Sequence, residues 1–203
     1  MKSIAIVGID GSGKSTLISG LTHKLKNPHV ISIWDTFRAP DLSENFTFKN
    51  KEAIDQYLTQ LSPNARSLFL FHSLYEAYQR ALREDDKTYI FDGHWYKYAS
   101  SQIESGSDPD LIQALSKLFP IPSLVILLET KAQIAVERRE YFSSAECGFL
   151  SRNNKQGFIE FQNRCLARLK VLTRDRIVLT IPEGLSIEET LQRSISFIEG
   201  YIK

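Results

Sequence analysis

Short apolar runs at residues 4–7, 30–34, 89–91, 124–128 and 177–181 punctuate the chain. They are continuous rather than alternating, which predicts strands buried on both faces, as in a parallel sheet. The segments between them carry helical spacing. Residues 14–26 place Leu17, Ile18, Leu21 and Leu25 on one stripe. Residues 50–61 read as a helix. Ser62 and Pro63 then supply an N-cap and a first-turn proline for a helix running to about Glu84, with Leu68, Phe71, Leu74, Tyr75, Tyr78 and Leu82 on its apolar side. Further helical segments are predicted at 95–104, 109–119, 132–140 and 158–172, and Ser186 with Glu189 forms a capping box that opens a last helix.

Residues 35–49 read as irregular, and residues 141–156 as a polar, mobile loop with Gly148 and paired asparagines. Alternating strands and helices predict an α/β three-layer sandwich, a five-stranded parallel sheet with helices on both faces. No repeat or linker divides residues 1–203, so one domain is expected, with 141–156 as its lid.

Composition narrows the classes. Of 203 residues, 24% are charged and 42% hydrophobic, and the formal net charge is +1. This balance lacks the basic field of nucleic-acid binders. No apolar run reaches the length of a membrane span, and the first residues lead straight into a strand, which predicts no leader. Cys147 and Cys165 fall in different predicted settings and read as a reduced pair in a cytoplasmic protein.

The chemistry sits between the first strand and the first helix. Gly8 to Ser15, with Asp10, Gly11, Ser12, Gly13 and Lys14 between, fits G-x-x-x-x-G-K-[ST], in the strand–loop–helix context that motif requires. Glycines let main-chain N–H groups face an anion at a helix start, where the macrodipole also favours negative charge. The fold class is therefore a P-loop NTPase, and the expected ligands are ATP and Mg²⁺. Lys14 is expected to reach the β- and γ-phosphates and to be largely solvated when the loop is empty, with Ser15 on the metal and Thr16 beside the phosphates. Asp92, closing the third strand, is placed to hold a metal-bound water or to orient the acceptor; Glu129, closing the fourth, is a weaker candidate. Arg138, Arg139, Arg152 and Lys155 are the cations near the lid that can meet charge on the transferring phosphate, with Arg152 able to close over the phosphates.

The stretch from Ile6 to Thr16 resembles thymidylate kinase, and matching segments follow in order over nearly the whole chain. Arg38-Ala39-Pro40 resembles the family's R-E-P, Ser67-Leu68-Phe69 its L-L-F, Asp92 the acid of D-R-Y, Gln102 the glutamine of A-Y-Q, and Glu137-Arg138 its E-R before the lid. The resemblance implies that Asp10 touches the substrate sugar, Arg38 its phosphate and Phe69 its base, with His72 and Gln102 nearby, that Arg138 lies against adenine, and that the protein is a homodimer.

Departures concentrate on the acceptor side. The D-R-Y arginine, which holds the acceptor phosphate, is Gly93, with His94 after it; the arginine after L-L-F is Ser73; the A-Y-Q tyrosine is Ser101. These weigh against efficient use of dTMP, because an unpaired buried polar partner costs about 1–3 kcal/mol. The expected function is ATP- and Mg²⁺-dependent phosphoryl transfer to a small acceptor, a nucleoside monophosphate or nucleoside. The residues alone leave open a kinase of another metabolite, or a nucleotide sensor without turnover.

Overall fold

The computed structural model describes residues 2–38, 50–81, 87–149 and 153–201. Five parallel strands, β1 (Lys2–Gly8), β2 (Pro28–Ile31), β3 (Thr88–Asp92), β4 (Leu124–Glu129) and β5 (Val178–Pro182), form one sheet in the order β2-β3-β1-β4-β5. The helices are α1 (Lys14–Lys24), α2 (Asp35–Arg38), α3 (Lys51–Gln60), α4 (Pro63–Ala81), α5 (His94–Glu104), α6 (Pro109–Ser116), α7 (Ala132–Ala135), α8 (Lys155–Thr173) and α9 (Ile187–Tyr201). Tight 3₁₀ turns occupy Val136–Arg138 and Ala145–Cys147.

Side chains of β1 alternate between two layers of helices. Ile4 and Ile6 pack with Leu17 and Leu21 of α1 and Ile198 of α9. Ala5 and Val7 face Tyr96 of α5 and Phe158, Phe161 and Leu169 of α8. Both faces of the central strand are thus dry, as its continuous apolar run requires. The helix starts follow local chemistry. Asn50 accepts from the Ala53 N–H, Asn154 from the Gly157 N–H, and Ser186 and Glu189 bond reciprocally.

The second strand lies earlier than its apolar run suggests. Its ladder pairs Pro28–Ile31 with residues 88–91 of β3. Ser32 then donates its N–H to Asp35 at 2.7 Å, and the chain turns into the short α2. Ile33 is apolar because it is buried against Phe71, Leu74 and Tyr98, not because it continues the strand. Residues 132–140 likewise make one α-turn and a 3₁₀ turn instead of a full helix. Part of the predicted polar loop is core: Phe142 and Cys147 are buried beside Phe158 and Phe161. The predicted end of α4 near Glu84, with Leu82, lies outside the described residues.

Both cysteines are free and buried, and burial pushes both thiols up. No described helix is long and apolar enough to cross a membrane. His94 is fully buried among Phe91, Tyr96 and Phe119, with neither ring nitrogen hydrogen-bonded, and desolvation pushes its pKa down to about 3.

Two stability measurements follow. Phe161→Ala is expected to cost about 3–5 kcal/mol in urea unfolding, whereas Leu118→Ser, at a half-exposed surface site, should stay within about 0.5 kcal/mol. The unfolded chain protonates His94 near pH 6.5 and the folded one does not, so stability falls as pH drops from about 6.5 towards 3. His94→Phe should flatten that part of the stability–pH curve.

Candidate active site

The loop between β1 and α1 is shaped for an anion. Gly13 sits at the helix start with φ 96°, a left-handed conformation that favours glycine, and a Cβ there would meet no atom within 4 Å. No side chain caps α1, and its first turn carries no acid, so its positive end is left to a ligand. The buried Ser12 Oγ has no hydrogen-bond partner. Lys14 differs from expectation. It is buried, and its Nζ donates to the carbonyls of Ile9 at 2.7 Å and Gly8 at 3.0 Å. Desolvation, helped by the nearby Lys97 charge, lowers its pKa to about 8.

Three cavities meet around this loop. The middle one, about 410 Å³, is walled by Gly11, Lys14, Ser15, Asp92 and Arg138. On one side it shares Gly13, Thr16 and Arg138 with a cavity of about 400 Å³ that runs past Ser12 and Leu17 to Pro182 and Ile187. On the other it shares Asp10, Trp34, Lys97 and Arg139 with a cavity of about 350 Å³ lined by Leu70, Tyr98, Gln102 and Phe149. Two compartments therefore open onto one shared chamber at the carboxyl ends of the strands, where ligands bind in open parallel sheets.

Charge at the second neck is organised by Asp10. Its carboxylate lies 2.9 Å from Lys97 Nζ. Burial raises the Asp10 pKa, but Lys97 and Lys14 outweigh it and hold the group well below the carboxylate range. The Asp10 N–H donates to Gln162 Oε1 at 3.0 Å, and Gln162 Nε2 donates to the Glu146 carbonyl at 2.8 Å. The Glu146 carboxylate in turn pairs with Arg139. One buried amide on α8 thus ties the phosphate loop to the segment carrying Ala145–Cys147.

The structure gathers Asp10, Gly11, Gly13, Lys14, Ser15, Thr16, Asp92 and Arg138 around the middle chamber. Ser12 lines the first compartment, and Gly8 contributes its carbonyl to Lys14. Arg138 donates to the Gly11 carbonyl at 3.0 Å and stands between chamber and compartment. Gln102 lines the second compartment, where its buried Oε1 is unpartnered.

Other expected residues lie elsewhere. His72 is exposed on α4, away from every cavity wall described above. Phe69 stacks on Phe37 and meets Tyr57 edge-on, while the next residue, Leu70, takes the wall position. A helix turns about 100° per residue, so a one-residue difference exchanges a cavity face for a packing face. Glu129 pairs with Lys170 in a separate groove. Arg38 closes the backbone of α2, but its side chain, like all of Arg152, lies outside the described residues. Arg139, one of the cations expected near the lid, lines both the chamber and the second compartment, whereas Lys97, Trp34, Phe149 and Gln162 are the wall and network residues that sequence reasoning missed. Lys97 alone carried a usable signal, standing one helical turn after Gly93.

Comparison with known proteins identifies the family. The family model described as thymidylate kinase matches residues 6–194. The chain belongs to the thymidylate kinase family. A thymidylate kinase of Leptospira borgpetersenii serovar Hardjo-bovis is 32% identical over 150 residues, covering 66% of each chain. A probable thymidylate kinase of Archaeoglobus fulgidus is 25% identical over 203 residues, covering 98% of this chain and 95% of that one. The solved thymidylate kinase of Candida albicans superposes with a TM-score of 0.69 at 18% identity, covering 98% of this chain and 91% of that one, a likeness of fold. Membership in the thymidylate kinase family makes the protein a phosphotransferase that uses a nucleotide phosphate donor.

Lys14 supplies a proton-linked test. Near pH 9 the empty loop holds this amine mostly neutral, and a polyphosphate in the chamber restores its charge. ATP binding should therefore take up a proton, and affinity should fall as pH rises above about 8. Calorimetry at pH 9 in two buffers of different ionisation enthalpy reads the uptake, which Lys14→Met should abolish.

Proposed function

We propose that this protein transfers the terminal phosphoryl group of ATP to a nucleoside monophosphate. The observation that carries the reading is the pair of compartments sharing one cation-rich chamber, with the phosphate loop as floor. The first compartment, between Leu17, Arg138 and Ile187, suits the donor's base and sugar. The second, with Trp34, Tyr98 and Phe149 around Leu70, suits a planar acceptor base. The unpartnered Gln102 Oε1 there is an acceptor for a ring N–H.

Phosphoryl transfer needs little covalent chemistry from the protein and much positioning and charge. The helix start and Lys14 take the donor phosphates, Lys14 exchanging two backbone carbonyls for phosphate oxygens. Arg138 supplies a second cation from the compartment boundary. Asp92 stands on the chamber wall, where a carboxylate orients the attacking group. The Ser15 hydroxyl and the Asp92 carboxylate are hard oxygen donors that fit Mg²⁺, which when bound neutralises charge on the β- and γ-phosphates. Asp10 at the second neck is placed for the acceptor's sugar.

ADP formation should require Mg²⁺ and be stimulated by at least one of dTMP, dUMP, dCMP, dAMP and dGMP. Asp92→Asn should lower kcat by about 10²–10⁴-fold. ADP release indifferent to every acceptor overturns the reading.

A further inference from the structure

We propose that Lys97 binds the acceptor's phosphate, doing from one turn along α5 the work of the arginine that is missing at position 93. This rests on the reading of the chamber as the transfer site. Gly93 has φ 86° and no side chain, and the space above it is filled. A Cβ there would lie 3.0 Å from Lys97 Cδ and 3.1 Å from Lys97 Cβ. The two residues are successive on one helical face, since the Lys97 N–H donates to the Gly93 carbonyl at 3.1 Å. Helical side chains lean towards the N-terminus, so Lys97 lays its stem over the preceding turn and carries its ammonium back to the end of β3. A side chain at 93 would crowd this path, and the stem of Lys97 would have to shift to admit it.

The destination matters more than the path. Lys97 lines both the acceptor compartment and the phosphate chamber, beside Asp10, Trp34 and Arg139. An acceptor phosphate in line with the donor must occupy that neck. Among the described residues, two cations and one carboxylate stand there. Arg139 is engaged by Glu146, and Lys97 by Asp10 at 2.9 Å. An ammonium held by one carboxylate is a point charge able to pass to a phosphate oxygen without losing its ionic partner type. Burial opposes its charge, but Asp10 outweighs that and keeps Lys97 protonated. A nucleoside offers this ammonium only neutral oxygens; a monophosphate offers a charged one. The acceptor class selected at the neck is therefore a phosphomonoester.

The test compares each of the five deoxynucleoside monophosphates with its own nucleoside by calorimetry without donor, in wild type, Lys97→Gln and Lys97→Arg. Wild type should prefer the monophosphate. Lys97→Gln should cut that preference, read as the ratio of monophosphate to nucleoside affinity, tenfold or more, and Lys97→Arg should recover most of it. Should Lys97→Gln melt early because Asp10 is left unpaired, Asp10→Asn with Lys97→Gln removes both charges and should show the same loss of preference. A monophosphate preference that survives in these variants overturns the role of Lys97 while leaving the kinase reading intact. Wild type that binds no monophosphate and releases no acceptor-stimulated ADP defeats the kinase reading itself.

Discussion

Unbalanced positive charge in a half-enclosed chamber is the constraint around which this molecule is arranged. Among the described residues, Lys14, Lys97, Arg138 and Arg139 line it against Asp10 and Asp92, and the uncapped start of α1 adds a positive dipole end. Desolvated charge of one sign is costly unless something neutralises it. The empty protein manages by internal pairing: Lys14 on its own loop's carbonyls, Lys97 on Asp10, Arg139 on Glu146, Arg138 on Gly11. The carbonyls that hold Lys14 and Arg138 are neutral acceptors, and a charged oxygen is the stronger partner for either cation.

The sheet explains why the charges meet. With order β2-β3-β1-β4-β5 and every strand parallel, the ends of β1 and β3 lie side by side. The loop after β1 and the acid closing β3 are thereby brought together without any long-range specificity in the loops. Ile4 and Ile6 on one face, Ala5 and Val7 on the other, fix that sheet between two helical layers.

What was legible in the sequence was local. The phosphate loop is a contiguous motif whose strand and helix flanks are its own check, and the apolar runs gave all five strands. The acceptor compartment was less legible because it is assembled from helix phases. Leu70 rather than Phe69 faces it, and Phe149 reaches it from a stretch that reads as polar loop. The strand at 30–34 was misplaced because burial of Ile33 against α4 and α5 imitates strand hydrophobicity. Gln162 gave no pattern at all, since its value comes from touching two segments far apart in the chain.

Gly93 carries a broader lesson about relatives. By the resemblance alone, position 93 lacks an expected cation. Viewed in space, the stem of Lys97 fills the very volume that position leaves open. A helix offers more than one address from which a charge can be delivered to one location.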